Sequence, residues 1–186
     1  QHQGIWLGKI YAQASQKIKE NEKLEREIRE LNKKIYQHDK SIEPLWKKTR
    51  KWCLKDFEDF YKQFGVKFNH LYFESETVAR GKKEIKKLLQ QGLAKESEGA
   101  IIVDLKKYDL GVYVSISQDG TATYHAKDLG LAKLKTKDFK FDQSLHVVGS
   151  EQQLYFKQLF KTFELIKSPL AGKSQHLSYG LVMLPE

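Results

Sequence analysis

The spacing of apolar side chains gives the first outline of the chain. Leu24, Ile28, Leu31 and Ile35 recur at intervals of four, three and four, which is one stripe of a helix. Glu22 and Arg26, Glu25 and Arg29, and Glu30 and Lys34 set acid before base at i,i+4, each pair worth about 0.2–0.5 kcal/mol. Ser41 and Pro44 mark a break and a new start. A second helix then carries Leu45, Trp46, Trp52, Cys53, Phe57, Phe60 and Tyr61, and Gly65 is placed to end it. Residues 1–65 therefore read as two antiparallel helices with an aromatic inner face. The heptad pattern is too short for a long coiled coil.

Beyond Gly65 the period changes. Val66-Lys67-Phe68 reads as a short strand, and Lys82 to Gln91 as a basic helix stopped by Gly92. Leu93 to Glu98 and Ala100 to Asp104 form the arms of a hairpin about Glu98-Gly99. Val112, Val114 and Ile116 alternate with Tyr113, Ser115 and Ser117, the strand period of two. Asp119-Gly120 turns the chain into a helix over Thr123 to Lys135. Leu145-His146-Val147-Val148 is a short apolar run of the kind found in a central parallel strand. Gly149 ends it, and Ser150 with Gln153 fits a capping box for the next helix. Leu177 to Leu184 is a further apolar strand. Alternating strands and helices predict an α/β domain with a parallel sheet over residues 66–186.

Composition narrows the class. With 186 residues the chain suits one domain, or one domain with an appendage. A hydrophobic share of 40% and a charged share of 31% exclude a disordered or fibrous chain. Lys and Arg number 33 against 24 Asp and Glu, a net charge of +9 that favours anionic partners, nucleic acid first. The lone cysteine, Cys53, has no internal disulfide partner, which fits a cytoplasmic setting. No apolar run reaches the roughly 20 residues of a membrane span.

Two places could carry chemistry. The Val148-Gly149-Ser150-Glu151-Gln152 turn leaves a buried strand and opens a helix, so its polar groups stand at the carboxyl edge of the sheet, where α/β folds bind ligands. A cap at Ser150 with Glu151 complementing the helix dipole accounts for the turn equally well. Tyr124 and Asp128 share a helix face at i,i+4. A carboxylate beside a phenol suits a guanidinium, with paired N–H bonds to the acid and the ring along the cation. Gln152 could add an amide oxygen. An exposed surface pair explains the same spacing. Other patterns carry less. Gly172-Lys173-Ser174 lacks the first glycine of a phosphate loop, since Lys167 stands there. The six histidines show neither a helical i,i+4 pair nor a cysteine cluster, so no zinc site is indicated. Cys53 between Trp52 and Leu54 reads as packing, and Lys82-Lys83 with Lys86-Lys87 as a solvated face.

Several ordered segments resemble the arginyl-tRNA synthetases of class I. Ser117 to Leu129, SQDGTATYHAKDL, is similar to that family's S-D-G-T-x-x-Y-x-x-R-D stretch. Val147-Val148-Gly149-Ser150-Glu151-Gln152, with Phe156 and Gln158-Leu159, is similar to V-V-G-x-E-Q-x-x-H-F-x-Q-L. His176 to Pro185 resembles the strand before the K-M-S-K-S-like loop. Glu96 to Ala100, Trp46 to Val66 and Leu7 to Tyr11 also fit, so the resemblance covers nearly the whole chain. It implies a partial Rossmann-like α/β domain over 66–186, the second half of the parallel sheet, preceded by an inserted helical hairpin over 1–65.

By that resemblance the activity is arginine–tRNA ligation: ATP-dependent activation of arginine and transfer to tRNA(Arg). Tyr124, Asp128 and Gln152 would hold arginine. Gly149 and Glu151 would face the ATP ribose, and His176, Gly180 and Val182 would lie near the adenine. Mg2+ would come with ATP, with no separate metal site. Lys127 stands where the family has Arg, and Tyr155 where it has His. No H-I-G-H-like motif occurs, and the sequence stops before any K-M-S-K-S-like loop. The resemblance therefore implies a middle piece of the catalytic domain, without catalytic residues of its own, binding arginine and ATP weakly and inactive alone. The full-length protein is expected to be monomeric. The alternative is a non-catalytic basic module that binds RNA or another protein.

Overall fold

A computed structural model describes residues 3–19 and 21–180. The chain divides into two compact units, Gln1–Leu71 and Tyr72–Glu186. The first unit contains helices α1 (Gln3–Lys19), α2 (Glu22–Tyr36) and α3 (Glu43–Gln63), three rather than the two expected from the apolar pattern. The extra boundary lies at Asn21, whose side chain accepts from Lys23 N at 3.0 Å and Leu24 N at 3.3 Å and so starts α2 afresh. Asp56 of α3 accepts from Ile5 N at 3.1 Å and ties down the first turn of α1. Pro44 sits in the first turn of α3, where its missing N–H costs nothing.

The aromatic inner face is covered only in part, with Trp46, Trp52, Cys53 and Tyr61 half-buried. Leu45, Phe57 and Phe60 of α3 are exposed, and none of the three helices holds a fully buried residue. Residues 66–68 are not a strand. They lie in an irregular connection, with the Phe68 ring edge-on to Tyr61 at 4.8 Å. Without a neighbouring strand their backbone groups have no ladder to join.

The second unit opens with α4 (Glu74–Gln90), eight residues ahead of the expected start. Its first turn is polar and so invisible to an apolar count. It is closed by Glu76, whose carboxylate accepts from Phe73 N at 2.7 Å. Strands β1 (Ala94–Ser97), β2 (Ala100–Asp104) and β3 (Val112–Ile116) form an antiparallel sheet in that order. The β1–β2 turn is the expected one. Glu98 at φ 49° and Gly99 at φ 76° supply the two left-handed residues of a tight hairpin. Helix α5 (Tyr124–Asp138), strand β4 (Ser144–Gly149), helix α6 (Gln153–Leu165) and strand β5 (Ser174–Tyr179) follow. Strands β4 and β5 pair in parallel, Val147 opposite Leu177 and Gly149 opposite Tyr179, as a separate two-stranded sheet.

One face of this sheet packs on α6, where His146 and His176 meet Phe156 at 5.2 and 4.5 Å. On the other face Leu145, Val147, Leu177 and Tyr179 are exposed, so β4 is not the doubly buried strand its apolar run suggested. The core of the unit gathers Ile85 and Leu88 of α4, Val103 and Tyr113 of the antiparallel sheet, Leu129 of α5, and Phe156, Leu159 and Phe163 of α6.

Helices α4 and α5 meet backbone to backbone. A Cβ added at Gly81 would lie under 3.0 Å from the Ala126 carbonyl oxygen, and one at Gly130 under 3.0 Å from that of Thr77. The crossing therefore depends on the small residues spaced four apart on each helix, Thr77 with Gly81 and Ala126 with Gly130.

Candidate functional site

The start of α5 is fixed by the strand before it. Asp119 accepts from Thr121 N at 2.9 Å across the Gly120 turn, where φ is 79°. Thr123 does not cap the helix. Its hydroxyl donates back to Val114 O at 2.7 Å and Ser115 O at 3.1 Å, which pins the first turn of α5 to the end of β3. Tyr124 and Asp128 then rise on one face of α5. Tyr124 is 73% exposed. The Lys127 ammonium lies 5.1 Å from its ring centroid and 2.6 Å from the Glu74 carboxylate of α4. Lys127 thus brackets α4 and α5 with a point charge where a guanidinium fork is absent.

Asp128 is half-buried, and burial raises its carboxyl above the usual carboxylate range, against the opposing pull of the Tyr155 hydroxyl and of Lys135 and Lys127. The Tyr155 hydroxyl of α6 donates to Asp128 Oδ2. Among the described residues no lysine or arginine nitrogen comes within 4.0 Å of this carboxylate. Burial and the neighbouring Asp128 charge push the Tyr155 phenol far above its ordinary value, so it remains a proton donor. Its ring packs on His125 at 4.4 Å, and His125 stacks on Tyr113 at 3.8 Å with an 11° tilt. Burial lowers His125 to about 4, so the imidazole stays neutral within the stack. Among the described residues its buried Nε2 has no partner within hydrogen-bonding geometry, and the nearby Gln158 amide only partly offsets the effect of burial.

The β4–α6 turn differs from the capping box expected of it. Ser150–Gln152 form a short 3-10 turn, and α6 begins only at Gln153, without a side-chain cap. Gly149 is buried, and a Cβ there would run into the Glu151 carboxylate, which folds back over it. Glu151 and Gln152 are exposed. Gln152 stands three residues before Tyr155. His176 Nε2–H donates to Val148 O at 2.9 Å, and its ring lies on Phe156, so one ring nitrogen is already committed to the protein. Gly180 follows β5 and is exposed; Val182 lies outside the described residues.

The structure therefore joins α5 to α6 through Asp128 and Tyr155. Tyr124 shares a helix face with that pair and Gln152 stands at the turn that leads into it, but among the described residues no hydrogen bond links either to Asp128. Tyr155 and His125 were not singled out as site residues from the sequence. The available signal was the tyrosine at a motif position that otherwise carries histidine.

Taken over its whole length, the chain is similar to known synthetases. The family description "tRNA synthetases class I (R), catalytic domain" covers residues 4–185. An arginine–tRNA ligase of Treponema denticola is 41% identical over 149 residues, 80% of this chain and 25% of that protein. One of Treponema pallidum is 35% identical over 190 residues, 99% of this chain and 32% of that protein. The chain spans between a quarter and a third of the length of such curated relatives. The crystal structure of arginyl-tRNA synthetase from Plasmodium falciparum shares the fold over 88% of this chain and 29% of its own, with a TM-score of 0.71 at 18% identity. The Thermus thermophilus arginyl-tRNA synthetase does so over 93% and 35%, with a TM-score of 0.62 at 19% identity. A family signature that runs almost end to end, on a mixed α/β fold shared with solved synthetases, shows that this chain belongs to the class I arginyl-tRNA synthetases.

Proposed function

We propose that the chain is the arginine-holding part of an arginine–tRNA ligase, with the guanidinium bound at Asp128 on α5. The observation that supports this most is the state of that carboxylate. It is half-buried, its close partner is a neutral phenol, and it lacks a cation within ion-pairing distance among the described residues. A guanidinium would supply the missing charge and two parallel N–H donors. Tyr124, exposed one turn earlier, would lie beside the cation, and Gln152 would reach in from the β4–α6 turn. A lysine or ornithine side chain would leave these acceptors incompletely paired, the usual origin of strong rejection.

ATP belongs at the neighbouring edge, with Gly149 and Glu151 toward the ribose and His176, Gly180 and Val182 toward the adenine. When bound, ATP would supply the α-phosphorus that the arginine carboxylate attacks, with pyrophosphate leaving and the adenylyl group joined to arginine. Mg2+ would arrive with the phosphates. Among the described residues no group of three or more His, Cys, Asp or Glu side chains is placed to hold a metal. In this reading residues 1–65 are the helical insertion and 66–186 the partial catalytic α/β domain. The basic surface faces tRNA(Arg), the whole protein works as a cytoplasmic monomer, and the 186 residues alone do not aminoacylate.

Thermal shift with arginine and with lysine tests the pocket. Arginine should raise the melting temperature and lysine should not, and Asp128→Asn should abolish the difference. The substitution should also stabilise the unliganded fold at neutral pH, because burial disfavours the charged acid it removes. Equal shifts for the two amino acids would reject the pocket. Arginine-dependent tRNA charging by the chain alone would reject the inactive-fragment reading.

A further inference from the structure

The geometry points to Tyr155 as a positioning residue that sets the Asp128 carboxylate for guanidinium recognition, an inference that rests on the arginine site proposed above. Asp128 sits in the second turn of α5, and among the described residues no hydrogen bond from its own helix holds its carboxylate, on which Lys135 and Lys127 act through their charge alone. The hydrogen bond comes from the neighbouring helix instead. The Tyr155 hydroxyl donates to Oδ2. Each carboxylate oxygen carries two lone pairs, so Oδ2 remains able to accept a second N–H while Oδ1 is untouched. A carboxylate held in one plane by a donor behind it can take both arms of a planar guanidinium without first losing rotational freedom.

The phenol is held as firmly as the acid. Its ring contacts His125 at 4.4 Å and the edge of Phe156 at 5.1 Å, with planes at 90°. His125 stacks in turn on Tyr113, whose hydroxyl pairs with Thr162 Oγ1 at 2.8 Å. Thr162 donates to Gln158 O, also at 2.8 Å, on the same helix as Tyr155. The chain of contacts therefore starts and ends on α6 and passes through β3 and α5. It fixes the hydroxyl relative to both helices. The titratable and charged groups around this point are Asp128, Lys127, Lys135, His125 and Tyr124 from α5 and Tyr113 from β3. The hydrogen bond to Tyr155 favours the ionised acid, which is the form a guanidinium needs.

This differs from a structural role, because removal of one oxygen should change recognition while the fold persists. In the Tyr155→Phe chain the arginine dissociation constant, measured by calorimetry, should rise roughly tenfold or more. The Asp128 side-chain carbon, followed by carbon NMR against pH, should titrate at a higher pH than in the unsubstituted chain. Tyr155→His, which keeps an N–H donor on a ring, should recover part of the binding. In an Asp128→Asn background Tyr155→Phe should have no further effect on arginine. Loss of arginine binding on Asp128→Asn together with no effect of Tyr155→Phe would overturn the inference and leave the site intact. Arginine binding that survives Asp128→Asn, or no preference for arginine over lysine in the unsubstituted chain, would overturn the site reading and this inference with it.

Discussion

Helices α1, α2 and α3 hold no fully buried residue, whereas α4 buries Thr77, Gly81, Ile85 and Leu88, and α5 buries Ala126, Leu129, Gly130, Ala132 and Leu134. The difference does not lie in apolar content. The first unit carries Ile5, Trp6, Leu45, Phe57 and Phe60, all exposed at half of their surface or more. An open groove of about 760 Å³ between α1 and α3 is lined by Leu7, Tyr11, Cys53, Phe57 and Tyr61. What sets the second unit apart is contact of backbone with backbone where helices cross, since a Cβ at Gly4 of α1 would meet only the Asp56 side chain and one at Gly8 would meet nothing within 4 Å. Gly81 and Gly130 bring two backbones together, and the larger side chains of neighbouring elements then close around them. The first unit relies on local pairs such as Arg29 with Glu25 at 2.6 Å and Lys47 with Glu43 at 3.1 Å, exposed contacts that contribute little each. Cohesion here follows from how closely backbones approach, and apolar residues alone do not provide it.

That contrast can be tested at its strongest point first. Gly130→Val should cost more than about 3 kcal/mol, since the new side chain meets the Thr77 backbone and neither helix can yield alone. All three tryptophans, Trp6, Trp46 and Trp52, lie in the first unit, so their fluorescence in a urea titration reports that unit while far-ultraviolet dichroism reports both. Dichroism should lose the helices of the second unit early with tryptophan emission unchanged. Joint loss would show the two units to be one cooperative body.

Phe163→Ala should come next, at about 3–5 kcal/mol, because its ring is 1% exposed. Phe60→Ala in the first unit should fall within about 0.5 kcal/mol. Similar midpoint shifts for the two would erase the contrast.

Acid should then act on the second unit. His125 and His146 both sit near 4, lowered first by burial, and for His146 also by Lys135 and His176. Between the ordinary value of 6.5 and about 4 the unfolded chain binds protons that the folded one refuses. Stability is therefore whole above 6.5 and falls as the pH drops toward 4. With allowance for partial exposure the loss is on the order of 1 kcal/mol per imidazole. Melting temperatures recorded across that range should fall for the unsubstituted chain, and the fall should be shallower for His125→Phe.

The smallest effect should follow Lys127→Gln, which removes the bracket to Glu74 and should cost about 0.5–1 kcal/mol by chemical denaturation. A cost near that of Phe163→Ala would give electrostatics a rank that the contrast denies it.

The sequence made the hairpin legible at Glu98-Gly99 and the α5 start legible at Asp119-Gly120, because tight turns demand particular residues. The parallel pairing of β4 and β5 was legible from alternation with helices. The division at Asn21 was not, because a side-chain cap leaves no trace in the apolar spacing. The early start of α4 was missed for the same reason, its first turn being Glu74-Ser75-Glu76-Thr77. At the site, the shared face of Tyr124 and Asp128 followed from i,i+4 geometry. The bond from Tyr155 did not, since it joins residues 27 apart on two helices whose crossing no local pattern encodes.

The exposed side of the β4–β5 pair governs how the chain behaves when it is warmed. Leu145, Val147, Leu177 and Tyr179 form an apolar plane on strands too few to hide one another's backbone edges. Copies that open even briefly can adhere through that plane before they close again. Irreversible loss of the folded chain on heating then becomes a race between reclosure and coalescence, one that depends on protein concentration and heating rate, and its half-life is set by a rate instead of a balance of free energies.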